Sequence, residues 1–127
     1  STILSLEQLL AIDPDVIVLP TSNGYHPPRE LLEGPSFRNL RMLRALQERK
    51  VGALAWSPCN CDKRLEYPLD VLVMAKTVYP ELFSDLDLGD AILRFYRDVY
   101  GADEETALGL VRAQWLEWTL DEPRGAR

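Results

Sequence analysis

VGALAWSPCNCDKRLEYPLDVLVMAK, residues 51–76, is the stretch on which the fold turns. Its opening run, Val51 to Trp56, is apolar and bounded by Lys50 behind and Ser57-Pro58 ahead. So short a run between turn residues predicts a buried strand. A polar loop follows, Ser57 to Arg64, holding both cysteines of the chain. Leu69, Leu72 and Val73 then recur at helical spacing, and Pro68 suits a first helical turn, where a missing N–H costs nothing. In an open α/β sheet, ligands sit beyond the carboxyl ends of the strands, where the next helix begins. The loop Cys59-Asn60-Cys61-Asp62-Lys63-Arg64 is therefore the expected binding element. Charge, amide, thiol and aromatic groups gather there at a strand end.

Outward toward the N-terminus, Ser5 and Gln8 form a capping box for a helix over Leu6 to Ile12, which Pro14 stops. Asp15 to Leu19 is nearly continuously apolar and predicts a strand covered on both faces. Pro20 to Pro28 is a loop carrying Tyr25 and His26, and by the strand-end rule it is a second wall of the crevice. Arg29 to Glu33 reads as a helical turn before Gly34-Pro35. Ser36 to Glu48 reads as a helix with Met42, Leu43 and Leu46 inward, and Arg38, Arg41 and Arg44 solvated on its outer face.

Toward the C-terminus, Tyr79-Pro80 closes the helix of the opening stretch. Asp87 or its neighbour caps a helix to Tyr100, with Ile92, Phe95 or Tyr96, Val99 and Tyr100 on its apolar stripe and Gly101 at its stop. Asp103 caps a last helix from Glu104 to about Leu120, with Leu108, Val111, Trp115 and Trp118 inward and residues 122–127 as a frayed tail. Two strands against five or six helices make a helix-rich α/β chain with a small parallel sheet. A two-stranded sheet is marginal alone, so the chain is expected to be part of a larger lobe whose earlier strands are missing.

The totals agree. A chain of 127 residues forms one domain at most, and 46% hydrophobic with 27% charged residues is ordinary for a globular chain. A net charge of −6 argues against nucleic acid and anionic membranes as partners. No apolar run approaches the ~20 residues of a membrane span. The chain begins at Ser1 without a methionine, as expected of a processed or cut piece. Cys59 and Cys61, one residue apart, cannot frame a disulfide-stapled domain, and a ring closed between them would be strained. As a Cys-x-Cys pair they supply two soft donors, short of the four a closed site wants, with His26 and Asp62 left to complete it. A metal site, a redox or intermolecular role, and plain loop thiols all remain open.

Taken together, SLEQLLAIDPDVIVL at 5–19, FRNLRMLRALQERKVGALAW at 37–56, RLEYPLDVLVMAKTVYPELFSDLD at 64–87 and ILRFYRDVYG at 92–101 resemble a known family. The pattern is similar to the C-terminal lobe of substrate-binding proteins that serve ABC importers of iron–siderophore, haem and cobalamin complexes (periplasmic binding proteins of the iron-complex type). The resemblance implies residues 1–127 as a single domain, one α/β lobe of three layers, with residues 103–121 as its terminal helix. It implies a non-enzymatic role: capture of an iron complex or related metal chelate and its delivery to a membrane permease. It also implies a periplasmic or extracellular setting, with or without a membrane anchor on the full-length protein. Glu7 matches the glutamate that docks onto permease arginines; read by itself it is a first-turn carboxylate favoured by the helix dipole.

The ligand-facing loop of the family falls on Trp56 to Tyr67. Lys63 and Arg64 would meet anionic oxygens, Asn60 would add a further ligand contact, and Trp56 and Tyr67 would pack on a macrocycle or aromatic ligand. The plainer reading is a solvated helix start and a core tryptophan. Tyr25 and His26 would add contacts, and either can ligate iron. The runner-up function is a thiol- or metal-dependent redox protein using Cys59 and Cys61. An interior-type sheet with open edges is further expected to pair two copies of the chain into a homodimer.

Overall fold

Ile17–Leu19 (β1) and Val51–Ala53 (β2) lie side by side and parallel, with Ile17 opposite Val51 and Leu19 opposite Ala53. This is the two-stranded sheet expected from their apolar runs, each strand shorter than its run. The computed structural model describes residues 5–21, 24–57 and 64–121. In it the chain is helix-rich α/β, and the elements that join and cover the strands are helical. Between β1 and β2 run the helix Pro28–Glu33 (α2), a 3-10 stretch Pro35–Leu40 and a single turn Arg44–Gln47 (α3). After β2 come Tyr67–Val78 (α4), Leu88–Tyr100 (α5), Glu104–Ala113 (α6) and a 3-10 turn Glu117–Leu120.

The first helix, Leu6–Ile12 (α1), has the capping box its sequence announces: Gln8 N–H donates to Ser5 Oγ and Ser5 N–H to Gln8 Oε1. Asp13 ends it in the left-handed region and receives the Arg44 backbone amide at 2.9 Å and the Arg44 side chain at 2.8 Å. That tie breaks the helix predicted over Ser36 to Glu48. With its amide given to Asp13, Arg44 cannot continue a helix from Leu40, so Leu43 adopts an extended angle and turns inward. Met42, predicted inward, is 66% exposed instead. Arg44 also pairs with Asp15, so it is not the simply solvated residue of the sequence reading.

The last helix is interrupted as well. α6 stops at Ala113, and Trp115 takes φ 57° while the Leu116 amide reaches back to the Val111 carbonyl. This is the six-to-one bond of a Schellman stop, with a tryptophan where glycine is usual. The reversal buries Leu116 and Trp118, which a continuous helix would have set on different faces. Along α5, Leu88, Ile92 and Tyr96 at spacings of four form the buried stripe. Val99 and Tyr100, expected on that stripe, lie past its end and are exposed.

Two apolar clusters meet at the sheet. Leu31, Leu40, Leu43, Leu46 and Val51 form one, together with Ile17 and Leu9. Leu69, Val73, Ile92, Tyr96, Val111 and Leu116 form the larger one around Ala53 and Ala55. α4 comes close to the sheet at Gly52, where a Cβ would lie 2.4 Å from Thr77 Oγ1. Glycine here lets α4 lie directly on the strand.

Candidate functional site

Both strands deliver their carboxyl ends to one place. Thr21, just past β1, is buried and donates its hydroxyl to the Leu54 carbonyl at 2.6 Å. Past β2, the Ala55 amide donates to Asp70 Oδ1 at 2.9 Å. The other oxygen of Asp70 accepts from the Arg64 guanidinium at 2.9 Å, and Arg64 donates again to the Trp56 carbonyl. One carboxylate in the first turn of α4 therefore grips the point where the loop leaves the strand and the point where it returns. The side chains of this pair are only 17% and 11% exposed. Burial pushes the Asp70 carboxyl above its usual value, against the pull of the Ala55 amide and Arg64.

A second buried carboxylate adjoins it. Glu66 accepts from the Tyr100 hydroxyl at 2.8 Å, and that bond holds the phenol pKa up. Tyr96, wholly buried and pushed far above the ordinary phenol value by desolvation and then by Glu66, has no hydrogen-bond partner for its hydroxyl among the described residues. Replacing a buried donor that has no acceptor with an apolar group of the same shape is nearly neutral or stabilising. Tyr96→Phe is accordingly expected to leave urea-unfolding stability unchanged or slightly raised. A loss above about 1 kcal/mol would mean that the hydroxyl is satisfied.

Aromatic groups gather at the same strand ends. The Trp115 ring stands 6.1 Å from Trp56 in an edge-on arrangement and 6.4 Å from Tyr25. The Trp56 amide, donating to the Gln114 carbonyl at 2.9 Å, fastens β2's extension to the end of α6. The left-handed angle at Trp115 places its ring there; for so bulky a residue that angle is a genuine outlier, and such outliers cost of order 1–3 kcal/mol. Burial, followed by the charge of Glu117, raises the Tyr25 phenol.

Of the residues predicted from sequence, Trp56 and Tyr25 thus come together through Trp115. Arg64 lies at the loop base with its fork turned into the protein. His26 is exposed and sits 2.9 Å from Glu30, one helical turn on. Tyr67 is 67% exposed on the outer side of α4. Glu7 projects from the first turn of α1, its carboxyl held below the usual value by its own amide and by the Ser5 hydroxyl. Asn60, Lys63, Cys59 and Cys61 fall outside the described residues, and with them the thiol, metal and Lys63 readings. Among the described residues no group of three or more His, Cys, Asp or Glu is placed to hold a metal ion.

Sequence reading missed Asp70, Glu66 and Trp115. Asp70 had a signal: it is a lone carboxylate between Leu69 and Val71, on a stripe that the helix buries. Trp115 had none, since nothing in the residues around it marks a left-handed stop.

The faces of Tyr25, Trp56 and Trp115 thus gather at the strand ends, next to the tie that Asp70 makes between Ala55 and Arg64. Neither a family model nor a curated protein nor a solved structure matches the chain. No helix among the described residues is long and apolar enough to cross a membrane.

Proposed function

We propose that this chain is one lobe of the solute-binding component of an ABC importer, capturing an iron complex or related metal chelate and presenting it to the permease. The observation that carries the reading is the group Tyr25, Trp56 and Trp115, set where two parallel strands end and a clamped loop begins. Aromatic faces bury large area at low entropic cost and suit a macrocyclic or catecholate ligand. The order of elements is compatible with it: capped α1 into β1, a helical crossover broken at Leu43 into β2, then α4 and α5. Glu7 is exposed in the first turn of α1, as a carboxylate that docks on a basic partner needs to be. In this reading the protein acts outside the cytoplasmic membrane and performs no chemistry on its cargo.

The test is titration of the full-length protein with ferric catecholate, haemin and cobalamin, followed by tryptophan fluorescence. One of the three should quench saturably, and Trp56→Phe or Trp115→Phe should remove most of the signal. Glu7→Ala should keep that affinity while reducing stimulation of the transporter's ATPase. Quenching by none of the three chelates would sink the ligand assignment; normal ATPase stimulation by Glu7→Ala would sink the docking one.

A further inference from the structure

A groove of about 510 Å³ is walled by α2 together with Lys76 of α4 and Trp118 of the last 3-10 turn. Its volume falls within the roughly 300–1,000 Å³ of sites that hold small molecules. Pro28, Leu32, Val51 and Trp118 give it apolar surface, and Tyr25 stands at its side. Five ionic side chains share the lining: Arg29, Glu33, Arg49, Lys76 and Asp121. The chemistry of an occupant depends on which of these charges the protein leaves free.

Three of the five are engaged. The Lys76 ammonium donates to the Phe83 carbonyl at 3.1 Å and also to the Leu86 carbonyl. Arg49 stands 3.7 Å from Glu33, so those two charges offset each other. Arg29 and Asp121 remain. Both are exposed, and neither has an ion pair among the described residues, with the other or elsewhere. Yet both act on one group, the Tyr25 phenol. Burial and then Glu117 raise its pKa, Arg29 opposes the rise, and the Tyr25–Glu117 hydrogen bond and Asp121 add to it. Glu117 is bonded to that phenol and does not line the groove. The groove thus presents one free cation and one free carboxylate near Tyr25, unjoined to each other, above an apolar wall.

We propose that this groove binds a small zwitterion, a free amine and a free carboxylate carried on an apolar body, as in an apolar amino acid or a dipeptide. The carboxylate meets the planar fork of Arg29 and the amine meets Asp121, while the body lies against Leu32, Val51 and Trp118. A simple anion would meet Asp121 as well as Arg29, and a simple cation the reverse; like charges brought together oppose binding. Only a ligand carrying both signs satisfies both groups. The groove shares Tyr25 alone with the aromatic crevice, and its ligand does not depend on the importer reading.

The test is an NMR titration of the chain with phenylalanine and, separately, with the dipeptide Leu-Phe, following the three tryptophan indole N–H signals. Saturable movement of the Trp118 signal is expected with at least one of them, and which one responds sets the length of the ligand. Acetylating the amine or amidating the carboxylate of that ligand should each weaken binding by about tenfold or more, as the loss of a hydrogen bond to charge requires. Arg29→Ala should bind the acid and its amide alike, and Asp121→Asn should bind the free and acetylated amines alike. Both changes lie on the surface. Loss of affinity on blocking one end only would mean a site for a single charge, and equal binding of both blocked forms would mean an apolar groove alone. Either result overturns the proposal, as does movement at Trp56 in place of Trp118 or no saturation by either ligand at millimolar concentration.

Discussion

Asp70→Ala is expected to lower unfolding stability by about 3–5 kcal/mol, the usual cost of removing one partner from a buried ion pair. The loss is large because two groups are stranded and the tie between them goes with Asp70. Arg64 keeps a buried charge, the Ala55 amide loses its acceptor, and the loop base loses the tie between its two ends. Arg64→Ala should cost less, since Asp70 still receives the Ala55 amide and can take up a proton. The double variant should be more stable than the sum of the two losses predicts, because the second substitution removes a charge that the first left unpaired. Strict additivity in that cycle would mean that the two side chains do not act as a pair.

The same carboxylate predicts a pH dependence of definite sign. Because burial outweighs the amide and Arg64, the folded state holds the Asp70 proton more tightly than the unfolded chain does. Its contribution to stability is thus greatest below the ordinary carboxylate value of 3.8 and falls as pH rises through the raised folded value. The stability difference between the native chain and Asp70→Asn should therefore shrink in the native chain's disfavour as pH climbs across that window. A difference that grows instead would mean that Arg64 outweighs desolvation.

Legibility in the sequence followed how local the physics is. The Ser5 capping box, the Asp87 and Asp103 caps and the Gly101 stop involve residues within one helical turn, and each stands where the sequence put it. Both strands were read from apolar runs between turn residues, as interior strands of a small parallel sheet. What could not be read depends on partners far along the chain. The helix break at Leu43 needs Asp13, more than two dozen positions earlier, to capture the Arg44 amide. The inward turn of Trp115 needs Trp56 and Tyr25, brought to it only by the folded sheet. Of the crevice, Tyr25 and Trp56 were legible as aromatics at strand ends, whereas the role of Arg64 at the loop base was not, because it rests on Asp70.

Gly52→Val is expected to be the second costly change, at the top of the roughly 1–3 kcal/mol range for overpacking. Gly52 was read only as part of an apolar run, yet α4 lies so close that even a first side-chain carbon would sit 2.4 Å from Thr77 Oγ1 and 3.3 Å from Val73 Cγ1. Thr77 has little room to yield, since its hydroxyl donates to the Val73 carbonyl at 2.7 Å and rotation would break that bond. The alternative is for α4 to move off the strand, and α4 carries Leu69 and Val73 of the larger core together with Asp70 of the loop clamp. The damage should therefore appear in two places, as lowered stability and as a loosened loop base, with faster amide exchange at Ala55 than at Leu54. Thr77→Ala removes the nearest obstructing atom, so Gly52→Ala/Thr77→Ala should recover much of what Gly52→Ala loses. If Thr77→Ala gives no recovery, the crowding comes from Val73 and the helix backbone. If Gly52→Val costs nothing, α4 does not lie against β2 as described, and Asp70 could not reach the Ala55 amide either.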